Sequence, residues 1–344
     1  MQDKQSLHTF VSTGILSLAI LLLISCGRTG SNVPNIIFDT DMGNDVDDAI
    51  ALAVMNRYLD EGKVRVLGIG FSKEGDGPAA FTDIVQTWYG HAGIPMGVVR
   101  NGAECSNHGH RYAWHVWEQK DENGKPLFAH TLANEDYAKL PDAHILYRKL
   151  LAEQPDHSVT FVTVGFSTNM ARLMESGPDE YSPLNGMDLI RQKVKSLVMM
   201  AGRFNQKGYA EYNVKFDIPA AQKVIASWPT EVVVSPWELG ARVPFPADMV
   251  YFFGGGYLNP VEEAYKAMRT MPYDESGWDP SAIIYAVEGN KWFTESPAGF
   301  MTVDSIGATT FTADPDHGNR RFLVVNNAQA SALSDHMVEL AIRK

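Results

Sequence analysis

Cysteine is nearly missing: 344 residues contain two, Cys26 and Cys105. That rules out a disulfide framework and a four-thiolate zinc site. Positive charge is also scarce, with 29 Lys+Arg against 41 Asp+Glu and a formal net charge of −12. With no basic tract to meet phosphates, nucleic acid is excluded as a partner. The apolar run Gly14 to Ile24 (GILSLAILLLI) covers eleven residues, short of the roughly 20 that a bilayer-spanning helix requires. The rest is ordinary globular composition, 45% hydrophobic and 20% charged, which excludes disorder over most of the length. A mass of 38.0 kDa is large for one domain but within the range of single α/β domains. These limits leave a soluble, acidic enzyme or a binding protein for small molecules.

The eleven-residue run has the length of a signal-peptide core, and it ends in Leu23-Ile24-Ser25-Cys26-Gly27. This resembles the bacterial lipobox, in which cleavage before the cysteine leaves that residue to carry lipid. The expectation is a signal over 1–25, a tether over 26–34 and one domain over 35–344. The protein is then exported and lipid-anchored, on the periplasmic face or the cell surface, with membrane contact only through a lipid on Cys26. A plain secretory signal with an incidental cysteine is the alternative. Cys105 would have no intramolecular partner if Cys26 is lipidated.

From Asn35 onward, short β-rich runs alternate with amphipathic stretches. Strands are expected at 35–39, 64–71, 158–164, 196–201 and 231–235, and helices at 46–59, 79–91, 143–153, 169–175, 219–227 and 280–288. Further strands are expected at 311–313 and 322–325, with a closing helix at 330–342. Such alternation predicts βαβ units, hence a single α/β domain with a mostly parallel open sheet and helices on both faces. The stretch 101–140 is irregular, rich in His, Trp and Asp, and has the character of an insertion over a site.

The chemistry concentrates in Asp39-Thr40-Asp41-Met42-Gly43-Asn44-Asp45-Val46-Asp47-Asp48. A buried strand delivers Asp39 and Asp41 on one side, a glycine turn follows, and Asp47 and Asp48 enter a helix. One or two carboxylates at a helix start are explained by capping and the helix dipole. Five within ten residues repel one another in a cleft, and a bound cation is the simplest compensation. With oxygen donors and no nearby His or Cys, the ion is a hard one such as Ca²⁺ or Mg²⁺.

The segment DTDMGNDVDDAIAL resembles the Asp-rich motif DxDxGxDDxxAL of the inosine-uridine preferring nucleoside hydrolases, with two extra residues after the glycine. We align Asp39 and Asp41 with the first two aspartates and Asp47-Asp48 with the pair; placing Asp45 in the pair is the alternative. Val162 to Asn169 (VTVGFSTN) resembles the family's central strand and turn, and Met199-Met200-Ala201-Gly202 its sugar-packing segment. Glu211-Tyr212-Asn213 with Asp217 and Pro219-Ala220-Ala221 resembles EFN…DPEAA, and Trp278-Asp279-Pro280 the late HDP motif. The resemblance implies the nucleoside hydrolase fold and a Ca²⁺ ion held by Asp41, Asp48, the Val164 carbonyl and Asp279. It implies that Asp41 is also the general base, and that Asp47, Asn205, Glu211 and Asn213 bind ribose. Met200 would pack on the sugar and Trp278 would line the pocket. The substrate implied is a small nucleoside; of assembly, the resemblance implies only that homo-oligomers are common.

Cleaving an N-glycosidic bond requires an activated water, support for an oxocarbenium-like ribose and a proton for the leaving base. The last requirement is where this chain departs from its relatives. Many carry His before the late Asp, where this chain has Trp278, and Phe71-Ser72-Lys73-Glu74 stands where an Asn is expected. His108, His110 and His115 are alternative acids. Two rivals remain. A haloacid dehalogenase-type phosphohydrolase also opens on DxD, but it wants Thr or Val where this chain has Gly43. A nucleoside- or sugar-binding lipoprotein without turnover is the other.

Overall fold

The computed structural model describes residues 33–103 and 111–342. The expected signal, Cys26 and most of the tether lie outside the described residues, as do Cys105, His108 and His110. Among the described residues, no helix is long and apolar enough to cross a membrane.

The strands are β1 (Asn35–Thr40), β2 (Arg65–Phe71), β3 (Met96–Gly97), β4 (Val159–Thr163), β5 (Val194–Met200) and β6 (Glu231–Ser235). They continue as β7 (Pro244–Phe245), β8 (Glu275–Ser276), β9 (Thr294–Glu295), β10 (Gly299–Val303), β11 (Thr309–Ala313) and β12 (Arg320–Val324). The first six helices are α1 (Asp47–Asp60), α2 (Asp76–Tyr89), α3 (Tyr112–Glu118), α4 (Ala143–Ala152), α5 (Thr168–Glu175) and α6 (Gly186–Lys193). Then come α7 (Tyr212–Lys215), α8 (Ile218–Ser227), α9 (Trp237–Gly240), α10 (Pro260–Met268), α11 (Trp278–Glu288) and α12 (Asn327–Ile342). The expected elements form within three residues at each end. The offsets all run one way from 309 onward, where the strands and the last helix start two or three residues early.

The main sheet has the order β11-β10-β12-β6-β5-β4-β1-β2-β3, with β9 beside β12. From β12 across to β3 every pairing is parallel; β9, β10 and β11 run antiparallel. This is the single-domain α/β architecture the alternation predicts. All six residues of β1 are buried, so its run Ile36-Ile37-Phe38 shows no polar alternation, as befits a strand covered on both faces. Ile36 and Phe38 pack with α1, α2 and α11 on one side, while Ile37 packs with α4, α5 and α8 on the other.

The chain builds β1, β2 and β3 outward in one direction, then returns to lay β4 on the other flank of β1. Helices leave the two strands on opposite faces there, opening a crevice at their carboxyl ends, the place where open α/β sheets bind ligands. The residues at that crevice are Thr40-Asp41 from β1 and Thr163-Val164 from β4.

Candidate functional site

Gly165 explains how closely the two strand ends approach. A Cβ at this position would lie 2.5 Å from the Asp41 nitrogen and 2.4 Å from Ser72 Oγ, so only glycine lets the β4 turn pass under the acidic turn. Ser72 Oγ donates to the Thr40 carbonyl at 3.2 Å and accepts from the Phe166 N–H at 3.0 Å, tying β1, β2 and β4 together.

Asp39 lies below the crevice. It is fully buried and accepts from Tyr147 Oη, from Asn169 Nδ2 at 2.8 Å and from Thr163 Oγ1 at 3.3 Å. Burial pushes its carboxyl up to about 7 against the help of those donors. It is a brace between β1, β4, α4 and α5.

Asp41, Asp47, Asp48 and Asp279 all face one cavity of about 540 Å³ and are all at least 96% buried. Two helix starts bring them there, since Asp47 and Asp48 occupy the first turn of α1 and Asp279 the first turn of α11. Neither helix has a side-chain cap, so their positive ends face the acidic cluster. Asp47 Oδ2 accepts from the Asp279 N–H at 3.0 Å, and Thr40 Oγ1 donates to Asp48 Oδ1. Asn44 Nδ2 donates to Asp41 Oδ2 at 2.6 Å. Burial, then neighbouring carboxylates, hold Asp47, Asp48 and Asp279 well above the usual range. Burial likewise raises Asp41 to about 6, less far because Asn44 and Lys73 oppose it.

The opposite wall comes from β5 and α7. Glu211 caps α7, accepting the N–H groups of Gly202 and Asn213, each at 2.9 Å, and of Val214 at 3.3 Å. Burial still pushes it up to about 7. Asn213 Nδ2 donates to the carbonyls of Val164 (2.8 Å) and Met200 (3.1 Å), leaving Val164 one lone pair for another partner. Met200, Tyr209, Tyr212, Trp237, Met268 and Trp278 supply the apolar lining. Trp278 Nε1 donates to the Trp237 carbonyl at 2.9 Å, and Gly240 packs so close to its ring that a Cβ would sit 2.2 Å from it. The indole N–H is therefore spent within the wall, and what Trp278 offers a ligand is ring surface.

Nine of the ten residues expected in the site meet here. Asn205 does not. It is exposed, its Oδ1 accepts from Arg203 Nε at 2.8 Å, and it does not line the cavity. The resemblance implies a ribose contact for it, whereas here its side chain meets Arg203 instead. Asp45, the extra carboxylate, turns to the rim and pairs with Arg269 at 2.7 Å; Asp47 and Asp48 are the two of that segment that reach Asp279. No histidine lines the cavity among the described residues, and His115 faces Gln119 on the surface of α3.

Sequence reading missed Asn44, Lys73, Tyr112 and Arg269. Lys73 is buried and donates from Nζ to the Gly43 carbonyl at 2.8 Å and to Asn44 Oδ1. Tyr112 Oη accepts from the Gly43 N–H at 2.8 Å and donates to the Asp45 carbonyl at 3.0 Å. The two extra residues of the acidic turn are thus braced from outside, partly by α3 of the irregular stretch, which does lie over the site.

The donor set suits a hard divalent cation. Asp41, Asp48, Asp279 and the Val164 carbonyl present oxygen only, and four buried carboxylates need positive charge to remain ionised together. Among the described residues, no three acidic, His or Cys side chains are already closed into a metal cage.

Solved structures share this architecture. A plant nucleoside hydrolase superposes with a TM-score of 0.67 at 16% identity, covering 89% of this chain and 99% of its own. An inosine-uridine preferring nucleoside hydrolase from Bacillus anthracis gives 0.64 at 17% identity, covering 89% and 99%. A purine-preferring ribonucleoside hydrolase from Gardnerella vaginalis gives 0.63 at 15%, covering 89% and 98%. At such identities the likeness is one of fold. Sequence comparison with the curated proteins gives no match. The family model of the metal-dependent inosine-uridine preferring nucleoside hydrolases matches residues 36–334, from the first strand through the acidic turn, Glu211 and Asp279 to the last helix. The chain belongs to that family and is a hydrolase of N-glycosyl bonds.

Proposed function

We propose that this enzyme hydrolyses ribonucleosides to ribose and free base, using a Ca²⁺ ion held by Asp41, Asp48, Asp279 and the Val164 carbonyl. The observation that carries the reading is the convergence of four buried carboxylates on one cavity beside Glu211 and Asn213. A cavity near 540 Å³ falls in the range that encloses small-molecule ligands. When bound, Ca²⁺ lowers the pKa of a water and fixes its position. Asp41 has one oxygen held by Asn44, and its remaining lone pairs would serve both as a ligand and as the acceptor for a proton from the attacking water. Asp47, Glu211 and Asn213 offer acceptors and donors to ribose hydroxyls, and the surrounding carboxylates stabilise a transient positive charge on the sugar. Tyr209, Trp237 and Trp278 give the base an apolar wall.

Reducing-sugar release by the purified full chain, on a nucleoside panel with Ca²⁺ or with EDTA, tests this. We expect release that EDTA abolishes and Ca²⁺ restores; no release from any nucleoside at saturating Ca²⁺ refutes it. The tied indole of Trp278 and the absence of a lining histidine among the described residues favour a second reading, a nucleoside- or sugar-binding protein without turnover. Calorimetric binding with no release would establish that one.

Asn44 and Lys73 provide a finer test. Lys73 fixes which way the Asn44 amide faces, and Asn44 fixes Asp41. Asn44→Ala should lower kcat about 10- to 100-fold with KM little changed, the scale on which misplacing a reacting group acts. Lys73→Met should do the same, and the double variant should be no worse than either single one. Losses that multiply would show that the two act separately.

We also place the enzyme outside the inner membrane, held by a lipid on Cys26. The support is the Leu23-Ile24-Ser25-Cys26-Gly27 segment that closes an apolar run of signal-core length.

A further inference from the structure

Eight large apolar side chains stand well exposed among the described residues, and four of them fall within a single loop. Tyr251 is 52% exposed, Phe252 53%, Tyr257 68% and Leu258 54%. The loop is seated, not loose. Val250 and Phe253 are buried beneath it, and Trp88 Nε1 donates to the Leu258 carbonyl at 2.9 Å. Gly254 adopts a left-handed turn (φ 57°) so close to the Trp88 ring that a Cβ would meet it at 2.0 Å. The aromatic rings therefore point outward by construction.

Its position is informative. Trp88 and Tyr89 end α2, and His91, just beyond, pairs with Asp60 at the end of α1 at 2.8 Å. Arg65, at the start of β2, donates to Asn35 Oδ1 at 3.0 Å, at the start of β1. The loop thus lies at the edge of the sheet where β1 begins, the edge at which the chain enters the domain. From Cys26 to Val33 is seven residues, so a lipid on Cys26 would hold that edge within about 25 Å of a bilayer. Helix α10 starts at this loop and ends at Met268 on the cavity wall, which puts the cavity at the far end of α10.

We propose that the Tyr251–Leu258 loop is the surface on which the anchored domain rests against the headgroup region of a zwitterionic bilayer, leaving the cavity turned toward the aqueous side. The inference rests on the lipid anchor proposed above. Tyr favours the membrane–water interface, Phe and Leu supply apolar area that buries into it, and tethering raises their local concentration there. The exposed fractions of four side chains of roughly 200 Å² each make a patch of about 450 Å². That is about half of the roughly 800 Å² per partner that a stable protein interface buries, so a second copy is the poorer occupant. Along 247–268, which carries the patch and the helix it leads into, Asp248, Glu262 and Glu263 outnumber Lys266, which pairs with both glutamates. This charge disfavours anionic lipid.

The test uses the full chain reconstituted at low density in phosphatidylcholine vesicles, with amide hydrogen exchange read across 247–259. Exchange there should slow at least about fivefold relative to the same protein in detergent, while 203–212 at the cavity is unchanged. Replacing part of the lipid with phosphatidylglycerol should reduce the protection. The variant carrying Tyr251→Ser, Phe252→Ser, Tyr257→Ser and Leu258→Ser should still float with vesicles and lose it. Protein that floats without protecting the loop overturns the proposal and leaves the anchor standing. Protein that does not float removes the anchor and the proposal together. Protection that grows with protein density and accompanies cross-linking between copies assigns the patch to a second copy and overturns the membrane contact.

Discussion

Asp41→Asn should fold normally and lose at least about a thousandfold in kcat, the scale of a general base whose loss is compounded at a metal-activated water. The side chain keeps its size, so the cavity keeps its shape. What disappears is the proton acceptor, together with one negative charge from a buried set of four. Removing a charge from a crowded, desolvated cluster relieves repulsion, so the melting temperature of the metal-free variant should equal or exceed that of the wild type. This pairing of lost turnover with undiminished stability separates a catalytic role from a structural one. Steady-state kinetics and a thermal melt of the same preparation check it. Activity within tenfold of wild type would remove Asp41 as the base.

The parts of the site that sequence made legible are those built by local chain geometry. A strand end carrying Asp-x-Asp, a glycine under a close backbone crossing, and carboxylates in the first turn of a helix each leave a short signature. Asp41, Val164 beside Gly165, Glu211, Asn213 and Asp279 each carry such a signature, and all of them line the cavity. Residues placed by tertiary packing left none. Lys73 reaches back 30 positions to Gly43, Tyr112 reaches back 69, and Arg269 pairs with Asp45 from 224 positions away.

Two misreadings have physical causes. Tyr112–Glu118 (YAWHVWE) has only Ala113 and Glu118 as strong helix formers among five aromatic, His or β-branched residues, so its stretch reads as irregular. Its helix is held by buried Tyr112 and by Trp114 against the glycines at 43, 75 and 77. Asn205 differs in another way: its place six residues before Glu211 matches the motif, yet its side chain is exposed and meets Arg203 rather than the cavity.

The second large effect should appear in stability. Without a cation, the folded state must keep Asp41, Asp47, Asp48 and Asp279 together out of water, and each is opposed by burial and by at least one neighbouring carboxylate. A divalent ion that binds only the folded chain should then stabilise it by about 2.7 kcal/mol at a hundredfold excess over its Kd, a rise in melting temperature on the order of 5 °C. Asp279→Asn should act in two opposed ways. Stripped of metal, the variant should melt no lower than wild type, because it has one fewer buried charge. Given Ca²⁺, it should gain little, because a ligand is gone. Asp45→Asn is the control. Its carboxylate turns to Arg269 at the rim, so it should keep nearly the whole Ca²⁺ increment and lose only an exposed ion pair, worth under about 1 kcal/mol. Differential scanning calorimetry of the three proteins with EDTA and with Ca²⁺ decides the matter. Equal Ca²⁺ increments in wild type and Asp279→Asn would mean that the ion sits elsewhere. A full increment lost in Asp45→Asn would move the acidic pair of the motif from Asp47-Asp48 to Asp45.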